Sequence, residues 1–246
     1  MTGDERRSAI VKSVLPLFAK NGFGSTTSRE LAEAAGVSEA LIYKHFPTKE
    51  RLYAEIQSFG CQGAEVALER IAGLEPSSRT LVLIVYFMMR CLSLGRVNDP
   101  IGWNTRHRLV LNSCLEDGSY PRYLFNQHFS GCLEKLEACM DAAGTAGELL
   151  EYGPKRRNRC LFAHHLACMI AVMHLPERPV IDYGTGREEL LDEAVRFALR
   201  GIGLSDAAIQ RDYRPVEFRE FLGLENGSAG KMPALQTEQE KEPVSG

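Results

Sequence analysis

No hydrophobic run in this 246-residue chain is long enough to cross a bilayer. The longest is Leu81 to Met89, far short of the roughly 20 apolar residues a spanning helix needs. The polar start, MTGDERRS, is not followed by an apolar segment with a small-residue cleavage site, so no secretory leader is expected. The seven cysteines form no C-x-x-C pair. An odd number without a leader reads as reduced thiols in a cytoplasmic protein. The chain has no G-x-S-x-G, no phosphate-binding P-loop, no G-x-G-x-x-G and no H-E-x-x-H, so sequence places no nucleophile, nucleotide cradle or zinc helix. Strand-like alternation is nearly absent and no internal repeat is visible.

Bulk positive charge is lacking too. The net charge is −3, which gives no global nucleic-acid signature but leaves room for a local basic patch. Residues 1–56 carry eight Lys and Arg against seven Asp and Glu, and residues 225–246 carry two against four. Any affinity for nucleic acid therefore rests on a few placed cations and backbone amides.

What is present is helix. With 44% hydrophobic and 25% charged residues, the chain has the composition of a soluble globular protein with a full core. Ile10, Val14, Leu17 and Phe18 give one apolar stripe over residues 4–20. Pro16 should weaken that helix, and Asn21-Gly22 should end it. Further helices are expected over 48–72, 79–94, 98–116, 120–143, 155–175, 185–202, 205–213 and 215–222. Asn98-Asp99-Pro100 should cap one of them. The segment 79–94 is apolar on all sides and should lie in the middle of its domain. Residues 225–246 are poor in apolar side chains and read as a disordered tail.

The stretch Ser25 to Leu52, STTSRELAEAAGVSEALIYKHFPTKERL, carries the most information. Thr27-x-x-Glu30 is a capping box for a short helix. Leu31, Ala32 and Ala35 face inward, Gly36 makes the turn, and Val37 plugs the space between two helices. Ser38 caps the second helix, in which Ile42 and Phe46 point inward and Glu39, Ala40, Tyr43 and Lys44 stay open. A helix–turn–helix is assembled this way, its second helix entering the major groove of DNA. The amides at the helix start after Thr26 and Thr27, with Tyr43, His45 and Lys49, suit phosphate oxygens, which position without reading sequence. Ser38, Glu39, Ala40 and Lys44 lie nearest to base edges. Lys44 suits guanine and Ala40 a thymine methyl.

These residues carry a resemblance. The pattern from Thr26-Thr27 through Ala35-Gly36-Val37-Ser38, Tyr43-x-His45-Phe46 and Lys49-x-x-Leu52 resembles the DNA-binding domain of the tetracycline-repressor (TetR) family over about residues 8–56. Ala40 departs from the glycine the family very often has there, and Glu39 repels phosphate. The resemblance implies an all-α protein: a three-helix DNA-binding head (1–56), a larger effector-binding and dimerisation domain (57–224), then the tail (225–246). It implies a homodimer on a palindromic double-stranded DNA operator, joined through helices 155–175 and 185–202. Leu161, His164, Leu166, Cys168, Val172, Leu191, Val195 and Leu199 are candidates for that interface.

A repressor released by a small hydrophobic or aromatic effector is the leading expectation. The expected pocket residues are Tyr86, Phe87, Met89, Trp103, His107, Leu111, Cys114, Phe125, His128, Phe129 and Met169. The helix 48–72 should pass the signal to the head. No membrane partner, cofactor or metal is expected. Cys160, His164 and Cys168 spread over two helical turns and do not converge on one ion. Cys132 and Cys139 stand about 10 Å apart along a helix, too far for a disulfide. A helical small-molecule enzyme or an interaction adaptor with a non-functional head are the alternatives.

Overall fold

The computed structural model describes residues 2–59, 65–95 and 101–224. The expected tail (225–246), the Asn98-Asp99-Pro100 cap and Cys61 lie outside the described residues. Those that are described form helices, and no strand occurs among them. One isolated bridge pairs Leu149 with Leu204.

Helix α1 (Gly3–Ser25) opens on a capping box. The Thr2 side chain accepts from Glu5 N at 3.2 Å and the Glu5 carboxylate accepts from Thr2 N at 2.7 Å. Pro16 sits inside the helix without ending it. The break falls at Gly22, whose φ of +79° is cheap only for a residue without Cβ. Three short helices follow: α2 (Ser28–Ala35), α3 (Glu39–His45) and α4 (Lys49–Phe59). Their inward residues Leu31, Ala32, Ile42, Phe46, Leu52 and Ile56 close on Ile10, Val14 and Phe18 of α1. Of the helix expected over 48–72, the described residues are α4 and α5 (Glu65–Ala72); residues 60–64 lie outside the described set.

The body is built around α6 (Ser78–Ser93), where Leu81 to Met89 are all buried. Around it pack α9 (Ser130–Thr145), α10 (Arg156–Met173) and α11 (Arg187–Ile202). The short helices α12 (Asp206–Asp212) and α13 (Pro215–Leu222) cover one end, where Tyr213 and Phe218 lie against Tyr86. The expected helix over 120–143 is divided. Helix α8 (Ser119–Leu124) passes into a π-helical turn, Phe125–Phe129, before α9.

Arg159 locks the link between α9 and α10 onto the end of α11. Only 5% exposed, it donates to the carbonyls of Leu150, Tyr152, Pro154 and Ile202 at 2.7–3.1 Å and lies over the Tyr152 ring. A buried guanidinium is tolerated because its donors are satisfied. Gly203 closes the same corner, with φ +105° and no room for a Cβ beside the Leu150 carbonyl.

Helix α7 (Trp103–Leu115) joins the two halves. It packs along α1, and its Leu109 is 1% exposed within the head's core, as is Tyr120 of α8. Asn112 Nδ2 donates to the Ala19 carbonyl at 2.8 Å, and the Glu116 carboxylate accepts from Gly24 N at 3.0 Å. A side chain at Gly22 would meet that carboxylate at 2.8 Å.

Three residues expected between subunits, Leu191, Val195 and Leu199, are buried in the chain's own core. They are the face of α11 that packs on α6 and α10. The apolar residues that α10 and α11 leave exposed are Phe162, Met169 and Phe197, at 56%, 56% and 68%.

Candidate nucleic-acid interface

Local chemistry fixes the turn between α2 and α3. Thr27 accepts from Glu30 N at 3.3 Å, while the Glu30 carboxylate takes both Thr27 N and its hydroxyl at 2.7 Å. Those bonds, the backbone one foremost, hold the Glu30 carboxyl below its ordinary pKa. Gly36 caps α2 in the left-handed conformation, φ +63°. Val37 N returns to the Ala32 carbonyl at 3.1 Å. The Ser38 hydroxyl accepts from Leu41 N at 3.2 Å, capping α3.

The result is a short helix presented outward. Ser38, Glu39, Ala40, Tyr43 and Lys44 are exposed. The Tyr43 and Ser28 hydroxyls are hydrogen-bonded to each other, tying α3 to the start of α2. The Lys49 ammonium lies 4.4 Å from the centre of the Phe23 ring, a cation–π contact that aims it from the start of α4. Phe23 in turn packs against Tyr53. Burial, with Glu116 adding, pushes the Tyr53 hydroxyl up to about 12, so it stays neutral in the seam. His45 is half-buried.

Thr26 is placed otherwise than expected. It is 1% exposed and its hydroxyl donates to the Gly22 carbonyl at 2.7 Å. That side chain closes the end of α1 and does not reach a phosphate. Arg7 is a residue the motif did not suggest. Its guanidinium donates to the His45 carbonyl at 2.6 Å, pairs with Glu55 at 3.0 Å and stacks over Phe46. It ties α3 to α1 and α4, and only the fold reveals it, because the contact spans 38 residues.

The described residues among those expected at the effector are divided between core and surface. Tyr86, Phe87 and Met89 are packed in the core, and Met169 and Cys114 are exposed. Trp103 lies tilted against His107 and donates to the Leu92 carbonyl at 2.6 Å. Phe125 and Phe129 meet at the π turn, and Phe129 lies against His164. Leu111 is half-buried on α7, and the His128 side chain lies outside the described set. Where a cleft does open, at the ends of α6 and α10 and the start of α11, it is lined by other residues, among them Ser93, His174 and Arg187.

The thiols divide in the same way. Cys168 lies 3.7 Å from the His164 ring, whereas Cys160 points to the Met140 sulfur at 3.5 Å. Burial pushes the His164 pKa down to about 4, with His165 adding. Among the described residues no group of three His, Cys, Asp or Glu is placed to hold a metal ion.

Residues 10–56 match the N-terminal domain of the bacterial regulatory proteins, tetR family. The head of this chain is a TetR-family DNA-binding domain. YerO of Bacillus subtilis, an HTH-type transcriptional regulator, is 43% identical over 49 residues, which are 20% of this chain and 17% of YerO. The HTH-type transcriptional repressor Rv3405c of Mycobacterium tuberculosis is 24% identical over 196 residues, 80% of this chain and 86% of that one. The structure of AibR in complex with isovaleryl coenzyme A and operator DNA superimposes with a TM-score of 0.59 at 18% identity, covering 78% of this chain and 97% of AibR. At that identity the likeness is one of fold. The chain spans less than a fifth of YerO.

Proposed function

We propose that this TetR-family protein is a ligand-responsive transcriptional repressor and not an enzyme. It works in the cytoplasm, as a homodimer on a palindromic operator. The outward face of α3 carries the reading: Ser38, Glu39, Ala40, Tyr43 and Lys44 stand exposed on a helix held from behind by Arg7, Ile42 and Phe46. A helix so presented enters a major groove by its first turn. Thr27, Tyr43, His45 and Lys49 flank it as phosphate contacts. The neighbour AibR, solved with an acyl-coenzyme A and operator DNA, supports a regulator that answers to a small molecule.

The dimer reading rests on Phe162, Met169 and Phe197, exposed on the two helices that the family resemblance assigns to the interface. A two-fold axis beside them buries like against like and sets the two α3 helices at half-sites about one DNA turn apart. Among the described residues no helix is long and apolar enough to cross a membrane.

The effector acts by population shift. It binds better to a dimer geometry whose two α3 helices no longer match operator spacing. The test is a mobility-shift titration of purified protein on palindromic DNA from upstream of its own gene. Retardation at protein concentrations that leave scrambled DNA free is expected, and equal retardation of both would refute the reading. Phe197→Glu should halve the mass in sedimentation velocity and abolish tight retardation; an unchanged mass would remove the assigned interface.

A further inference from the structure

The cleft at the ends of α6 and α10 and the start of α11 holds polar groups that the packing of the body leaves unused. Ser93, the last residue of α6, is 6% exposed, and its hydroxyl is buried there without a hydrogen-bond partner. Arg187, the first residue of α11, lies with its guanidinium 4.8 Å from the centre of the Trp103 ring and donates through one nitrogen to the Ser93 carbonyl. Among the described residues no carboxylate comes within ion-pair distance of it. Burial holds its pKa below the ordinary arginine value, and the neighbouring Glu188 offsets this only in part.

A buried hydroxyl without a partner and a desolvated cation without a counter-ion both oppose folding, and one bound anion relieves both. The other walls of the cleft exclude a free inorganic ion as the best occupant. Leu94, Ile170, Leu190 and Leu191 are apolar, and His174, the remaining wall, spends its Nδ1 on the Ile170 carbonyl at 2.8 Å. The cleft encloses room for only about one water-sized group, about 10 Å³, within about 220 Å³ that includes open solvent, so the occupant is small, enters by its head group and keeps its tail on the open side.

We propose that this cleft binds a small organic carboxylate, with its oxygens taken by the Arg187 guanidinium and the Ser93 hydroxyl and its short tail laid along the four aliphatic side chains. This names the effector class of the repressor proposed above and rests on that reading for its regulatory consequence, though not for binding itself. The route to the head is short. Trp103, under Arg187, opens α7, and the same helix carries Leu109, Asn112 and Glu116 to the head. An anion that draws Arg187 off the indole acts on the helix that seats the head.

Isothermal titration calorimetry of the full chain with hexanoate and benzoate, against hexanamide and benzamide, tests the site. The acids should bind at least tenfold more tightly than the neutral amides, since a charge-assisted pair distinguishes them. Arg187→Gln should weaken hexanoate at least tenfold and Ser93→Ala a few fold, with Arg187→Lys between wild type and Arg187→Gln. Thermal melts of each variant establish that it is folded. Equal affinity for acids and amides, unchanged binding by Arg187→Gln, or no heat with ~10 mM acid overturns the site. Inorganic phosphate binding as tightly as hexanoate overturns the apolar half of it. Retardation of DNA by ligand-free protein is scored separately. Acid binding without retardation keeps the site and removes the repressor; retardation without acid binding does the reverse.

Discussion

Leu109→Ala tests whether head and body form one cooperative unit. Leu109 belongs to α7 of the body, yet it is 1% exposed and packs among α1 residues of the head. The substitution removes three buried carbons, worth ~0.8 kcal/mol each, so the transfer loss is about 2.4 kcal/mol. A cavity that collapses only partly adds ~1 kcal/mol, which places the total near 3.5 kcal/mol, inside the range known for buried Leu→Ala changes. For a chain of this size ~1 kcal/mol moves the midpoint by about 2–4 °C, so Tm should fall by about 7–14 °C. Differential scanning calorimetry should show one transition, displaced as a whole. The α3 face is untouched, so DNA affinity at a temperature where the variant is folded should stay within about twofold of wild type. A loss below ~1 kcal/mol, or two transitions of which only one moves, would refute the shared core.

Lys49→Ala should weaken DNA binding on every sequence and lower the salt slope by about 0.9 for each phosphate it no longer neutralises, twice that for a dimer; mobility shifts at graded salt measure this, and an unchanged slope removes Lys49 from the phosphates. Arg159→Ala should cost about 4 kcal/mol, read by urea denaturation, because four carbonyls lose a buried charged donor; Arg159→Lys should not restore it, since an ammonium lacks the planar fork. Glu148, held by Arg211 and then Ser78, has its pKa lowered to about 2. Its contribution is complete above the unfolded carboxylate range and is lost as pH falls toward 2. The Tm gap between wild type and Glu148→Gln should therefore be full at pH 6 and close at acid pH; a constant gap would refute the pairing.

The head was legible because its signals are local. A capping box, a left-handed glycine and a serine cap lie within twelve residues of one another, and their bonds reach only three to five positions along the chain. The body was legible only as helices. Periodicity finds an apolar stripe but not the surface that covers it. Leu191, Val195 and Leu199 form a true stripe that faces α6 and α10 within the chain, whereas Phe162, Met169 and Phe197 stand outside it. The expected pocket residues are dispersed for a related reason: large aromatic and sulfur side chains at helical spacing fill a core as readily as they line a void. The seam between α7 and α1 joins residues about 90 apart, such as Asn112 and Ala19, and no local pattern announces it. Thr26 shows the reverse, a polar side chain spent on the backbone beneath it.

Trp103 is the single tryptophan of the chain, and it stacks beneath a guanidinium at the mouth of the cleft. The protein's tryptophan emission therefore comes from one known place. An occupant that displaces the cation from that ring changes intensity and colour together, without any attached dye. The molecule carries its own optical gauge at the point where a small acid and the rod leading to the DNA head meet.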